Sequence, residues 1–185
     1  MKRQRSIQPP RKMQNIYLII YEGDTEGEYI SFLRKQYKSS VKIKAFKEGT
    51  KISKNSVRKI TDGLKLDKKD TITTFLMYDE DVQSINKKLE EIDGIKLLSN
   101  PCFEVWYLLH MTSKLGYMSS DDCNRKLKLI GEPWNNYVKG NLTDKQKVVL
   151  WEKKDTACCN ARKLREDTNP SCTIYKLLEK LESEK

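Results

Sequence analysis

Ile16-Tyr17-Leu18-Ile19-Ile20-Tyr21-Glu22-Gly23-Asp24-Thr25 is the stretch on which the fold turns. Six apolar residues, most of them β-formers, run without a polar break. A strand buried on both faces, as in a parallel sheet, has that pattern. Glu22-Gly23-Asp24 ends the strand. Thr25 then opens a helix, with Glu28 three positions on as its capping box. Tyr29, Phe32, Leu33 and Tyr37 recur at helical spacing and give the helix an apolar stripe.

The same alternation continues along the chain. Val41 to Phe46 alternates apolar and basic residues, which predicts a half-exposed strand. Ile52, Val57, Ile60 and Leu64 lie on an amphipathic helix. Ile72 to Tyr78 is a second buried strand, closed by Asp79-Glu80-Asp81. Val82, Ile85, Leu89 and Ile92 are spaced for a helix, and Ile95 to Leu98 is a short strand. Strands alternating with helices predict an α/β fold: a mostly parallel four-stranded sheet flanked by helices, with right-handed crossovers. After Asn100-Pro101 the character changes. Phe103 to His110 and residues 119–130, 143–153, 156–167 and 173–184 read as helices, which predicts a C-terminal helical layer. The expected organisation is a flexible basic arm (1–13), an α/β domain (14–112) and a helical region (113–185) packed on it.

The chain has 185 residues, enough for one domain with a real core, and a net charge of +10. The longest apolar run is too short for a transmembrane helix, which needs ~20 residues. No apolar stretch closely follows the basic N-terminus, so no secretory leader is expected. Five cysteines (Cys102, Cys123, Cys158, Cys159 and Cys172) with no CxxC spacing predict a reducing, cytoplasmic setting. One histidine and scattered cysteines argue against structural zinc. There is no GxxxxGK and no GxGxxG, so neither a phosphate-binding loop nor a dinucleotide site is expected.

The acids fall at strand ends. Glu22 follows the first buried strand, and Asp79 and Asp81 follow the third strand in the chain. The carboxyl ends of parallel strands open on one crevice, where ligands bind at the topological switch point. Residues two apart in extended chain point the same way, so Asp79 and Asp81 can address one cation, and Glu22 joins them if its strand is adjacent. Carboxylates crowded in this way suit magnesium, or manganese, beside a phosphate. A bland alternative stands beside this one. Asp81 is well placed as N-cap of the helix starting at Val82, and Asp79 and Glu80 read equally as loop acids.

These residues resemble a known pattern. Ile19 to Glu26 is similar to the opening motif of the RloB-like (AbiLii-type) proteins of bacterial phage defence. Phe75 to Asp81 matches their central motif, and Ser99-Asn100-Pro101-Cys102-Phe103-Glu104 through His110 matches a third block. Tyr137 with Lys139, and Asn169-Pro170-Ser171, resemble the tail. The resemblance covers about residues 14–182. It implies a Toprim-like domain. Within it Glu22 is general acid or base, Asp79 and Asp81 hold magnesium, and Glu26 is metal ligand or orienter. Glu104 and His110 either complete the site or hold the helical layer on the sheet. Relatives often carry a Thr-Thr-Val-His-like run after Asn-Pro, where this chain reads Ser171-Cys172-Thr173-Ile174-Tyr175. The implied activity is magnesium-dependent hydrolysis of phosphodiesters in DNA or a structured RNA such as tRNA, by the effector of an abortive-infection system with an ATPase partner.

The basic residues fit a polyanion. Residues 1–70 carry 18 basic and 8 acidic residues, whereas residues 71–118 carry 4 and 7. Arg3, Arg5, Arg11 and Lys12 form the N-terminal arm, and Lys51 and Lys54 follow Gly49 in a loop; both groups are candidates for nucleic-acid contact, or for solvation alone. Trp134, Tyr137 and Trp151 stand among lysines and read either as stacking platforms or as packing. Two rivals to a nuclease remain at this level: a non-catalytic nucleic-acid or adaptor module, and a hydrolase of small nucleotides.

Overall fold

The computed structural model describes residues 15–64, 66, 69–166 and 168–185. Candidate residues Arg3, Arg5, Arg11 and Lys12 lie outside the described residues. β1 (Asn15–Tyr21) is flanked by β2 (Lys42–Lys47) and β3 (Thr71–Asp79), both parallel to it. β4 (Ile95–Asn100) pairs parallel with β3. A fifth strand, β5 (Ser171–Cys172), closes the edge antiparallel to β4, so the order is β2-β1-β3-β4-β5. The expected four-stranded sheet is therefore five-stranded. The added strand comes from the C-terminal region, and at two residues it is too short to show a period.

The period-two alternation of β1 sorts its side chains into two cores. Tyr17 and Ile19, with Phe75, Met77 and Leu97, face the layer of α1 (Asp24–Gln36). Leu18 and Ile20, with Leu76 and Tyr78, face Ile52, α2 (Lys54–Gly63) and α3 (Gln83–Glu90). The reading of β1 as buried on both faces holds. Helices α4 (Glu104–Leu109), α5 (Ser120–Leu129), α6 (Asp144–Glu152), α7 (Lys154–Arg162) and α8 (Tyr175–Glu182) all contribute to the α1 side. Every residue of α4 is buried, as expected of a helix covered all round.

The start of α1 differs from the sequence reading. The helix begins at Asp24 with Gly23 as N-cap, and the reaching carboxylate is Glu26, not Glu28. Glu26 Oε2 accepts the Gly23 N–H at 3.1 Å. Glu28 instead pairs with Lys147 of α6 at 2.8 Å. Asp81 is not a cap either: Val82 occupies that position before α3, with no side-chain bond.

Candidate active site

The sheet reverses its winding between β1 and β3, so the crevice at their carboxyl ends is the switch point. Two hydrogen bonds extend the pairing past β1. The Glu22 N–H donates to the Met77 carbonyl at 3.2 Å, and the Asp79 N–H donates to Glu22 Oε2 at 3.2 Å. The first acid of the site is thus held by the backbone of the second. Asp79 Oδ1 is buried and has no hydrogen-bond partner among the described residues. Asp81 lies beyond the last residue of β3, in an exposed bend. The extended spacing on which the paired-aspartate reading rests therefore ends at Asp79.

Two further carboxylates come from helix starts. Glu26 is on the first turn of α1 and Glu104 opens α4; they are 4% and 0% exposed. Glu104 Oε1 accepts hydrogen bonds from the Tyr137 hydroxyl at 3.0 Å and from Thr25 Oγ1 at 3.4 Å. Its Oε2 has no hydrogen bond, and the Lys139 ammonium stands 4.0 Å away. Three segments distant in the chain thus meet at one buried carboxylate.

These acids feel one another. Burial pushes the Asp79 carboxyl up to about 10, with Glu26, Glu22 and Glu104 adding repulsion. Burial, with Glu22 and Glu104, raises Glu26 to about 7. Burial also raises Glu22; Asp81 adds to the rise, while the Asp79 N–H and Lys139 oppose it. Burial acts to lower Lys139, but Glu104, Asp79 and Glu26 outweigh it and hold the ammonium above its ordinary pKa. Carboxyls raised in this way cannot all ionise at neutral pH without added positive charge. Such clusters in a crevice mark functional sites more often than chance.

The family model described as RloB-like protein matches residues 17–181. The chain belongs to the RloB-like protein family. Neither a curated protein nor a solved structure matches it.

In this RloB-like protein the fold brings Glu22, Glu26, Asp79 and Glu104 together, and Asp81 reaches them through its repulsion of Glu22. It does not bring His110 to them. His110 is buried at the far end of α4; Nδ1–H donates to the Trp106 carbonyl at 2.8 Å, and the ring packs edge-on against Trp106. Burial lowers its pKa to about 4, with Lys153 as a charged neighbour. Of the two roles left open, holding the helical layer is the one its contacts match. Lys51 and Lys54 are exposed beside Gly49, whose loop runs against Glu22: the Glu48 N–H donates to the Tyr21 carbonyl at 3.1 Å. Trp134 and Tyr137 are buried, with Trp134 stacked on Tyr107, so they pack and do not offer platforms.

The residues present fit a hard divalent cation by donor chemistry: all are carboxylates, and Asp79 Oδ1 is an unmet buried acceptor. As the side chains stand, no three His, Cys, Asp or Glu among the described residues are placed to hold one ion. Sequence reasoning missed the site roles of Thr25, Tyr137 and Lys139. The resemblance had marked Tyr137 and Lys139, but nothing local to them points at Glu104.

Proposed function

We propose that this protein is a Toprim-like, magnesium- or manganese-dependent phosphodiesterase acting on nucleic acid. The observation that carries the reading is the Glu22 carboxylate fastened to the Asp79 N–H at the β1–β3 switch point, beside the unmet Asp79 Oδ1. Asp79 and Asp81 would hold the ion, with Glu22 within their reach. Bound there, the ion would serve as a Lewis acid toward a phosphoryl group. Glu22 would take or give a proton; burial raises its carboxyl above its ordinary pKa, the direction a general acid or base needs. Glu26 is occupied by the Gly23 N–H and supports the first turn of α1 while adding negative charge to the crevice. DNA and structured RNA both fit the basic exterior. An effector role in anti-phage defence, with an ATPase partner in the cytoplasm, is part of the proposal and rests on the resemblance of the motifs. Among the described residues no helix is long and apolar enough to cross a membrane.

One observation favours the non-catalytic module as a second reading: the carboxylates do not stand ready around one point. A single experiment separates the two. Total RNA and plasmid DNA are incubated with the protein in magnesium, in manganese and in chelator, beside Glu22→Gln and Asp79→Asn. The expected result is metal-dependent cleavage that falls about 100-fold or more in each variant. Thermal midpoints should be unchanged or, for Asp79→Asn, higher, because a strained buried acid is removed. Cleavage that survives both substitutions, or that ignores chelator, overturns the assignment.

A further inference from the structure

The acids of the crevice divide by what meets them. Glu22 and Asp79 end neighbouring strands and are tied to each other. Glu26 and Glu104 are the two least exposed, and a lysine stands against Glu104. Lys139 Nζ lies 4.0 Å from Glu104 Oε2, too far for a hydrogen bond and close enough for strong attraction. Glu104 is fully buried while the Lys139 side chain is 62% exposed. The ammonium therefore sits at the mouth of the site and not inside it.

The loop that carries Lys139 is fixed on both sides of it. Before it, Tyr137 is buried, donates its hydroxyl to Glu104 Oε1 and its N–H to the Trp134 carbonyl at 2.9 Å. Val138 then bridges to Asn141, which turns the chain back within four residues. After Lys139 comes Gly140 with φ +75°, a left-handed conformation that glycine adopts without strain. A Cβ at that position would stand 3.0 Å from Asp24 Cβ, so the loop is pressed onto the first turn of α1. The attraction of Lys139 also reaches Asp79, Glu26 and Glu22.

From this arrangement we infer that Lys139 is the resident cation beside Glu104, so that the site takes one divalent ion, held by Glu22, Asp79 and Asp81, and not two. The inference rests on the metal reading given above. Two-metal phosphodiester sites place a cation on each side of the displaced group. Here a lysine of the chain supplies the second positive charge, and no second ion need be recruited.

Mn2+ alone, titrated into the full chain and followed by the paramagnetic resonance of the free ion, tests this without substrate. The wild type and Lys139→Arg are expected to bind one equivalent. Lys139→Met and Lys139→Gln are expected to bind two, since the buried Glu104 is then left without its cation. Lys139→Met combined with Glu104→Gln is expected to return to one. Circular dichroism and melting confirm the fold of each variant. Two equivalents in the wild type, a measurement that needs no variant, overturns the inference and leaves the metal reading standing. One equivalent in both neutral variants does the same. No Mn2+ bound by the wild type overturns both.

Discussion

His110 is the single histidine of the chain, which makes its titration separable from every other. Its pKa is about 4 in the fold and ordinarily about 6.5, because burial disfavours the imidazolium. Between those values the unfolded chain binds a proton that the folded chain refuses, so stability rises with pH across the window. The contribution is fully present above about pH 6.5 and is lost as pH falls toward about 4, amounting to roughly 3 kcal/mol. Urea unfolding of the wild type and His110→Gln through that range should show the wild type losing about this much more than the variant. Parallel curves for the two proteins would rule out a neutral buried imidazole. At the same scale, the acids of β1 and β3 were legible in the sequence, because a buried strand announces its own end and Glu22 and Asp79 stand there. Thr25, Tyr137 and Lys139 were not, because a contact such as Thr25 to Glu104 spans 79 positions and depends on how a loop docks.

Elements were legible in proportion to their length. β1, β3 and α1 declare themselves by uninterrupted apolar runs or helical spacing, and the five C-terminal helices fall where their periodicity places them. β5 escapes because two residues carry no period, yet it is well tied. The Thr173 N–H donates to the Leu98 carbonyl at 2.8 Å, and the Leu98 N–H donates to Thr173 Oγ1 at 2.7 Å. The Thr173 hydroxyl also reaches the Lys96 carbonyl at 3.3 Å. This ladder runs beyond the two residues of β5 and fastens the C-terminal region to the edge of the sheet. Thr173→Val keeps the shape and leaves the Leu98 N–H unmet. It is expected to lower the free energy of unfolding by ~1–2 kcal/mol in urea titration, with little change in the dependence on urea. An unchanged midpoint would mean that the edge is held by the apolar contacts of α8 alone. The first turn of α1 shows the opposite kind of miss. The sequence reading starts the helix at Thr25 and takes Glu28 as its partner; Gly23 is the N-cap, so the residue three positions on is Glu26.

Charge acts over the whole molecule, and here it sets two tendencies against each other. The chain carries +10, yet the crevice at its switch point is lined with acids that repel phosphate. A polyanion must therefore be gripped on the rim, close enough to the acids for an ion to bridge the two. The loop after β2 meets that condition. Gly49 has φ +54°, and a Cβ there would stand 3.6 Å from the Glu22 carbonyl oxygen, so this loop runs along the first acid of the site. Lys51 and Lys54 follow in the next five residues, exposed, with Lys54 opening α2. Each phosphate neutralised by a lysine on a DNA duplex contributes about 0.9 to the slope of log affinity against log salt concentration. Binding of duplex DNA in chelator, measured by fluorescence anisotropy over a range of salt, should therefore be steeply salt-dependent. Replacing both lysines, as Lys51→Gln with Lys54→Gln, should flatten the slope by about 2 and weaken binding most at low salt. The melting temperature should hold, because neither side chain is buried. An unaltered slope would place the phosphate track away from Glu22 and separate the basic surface from the acidic crevice as two unrelated features of the fold.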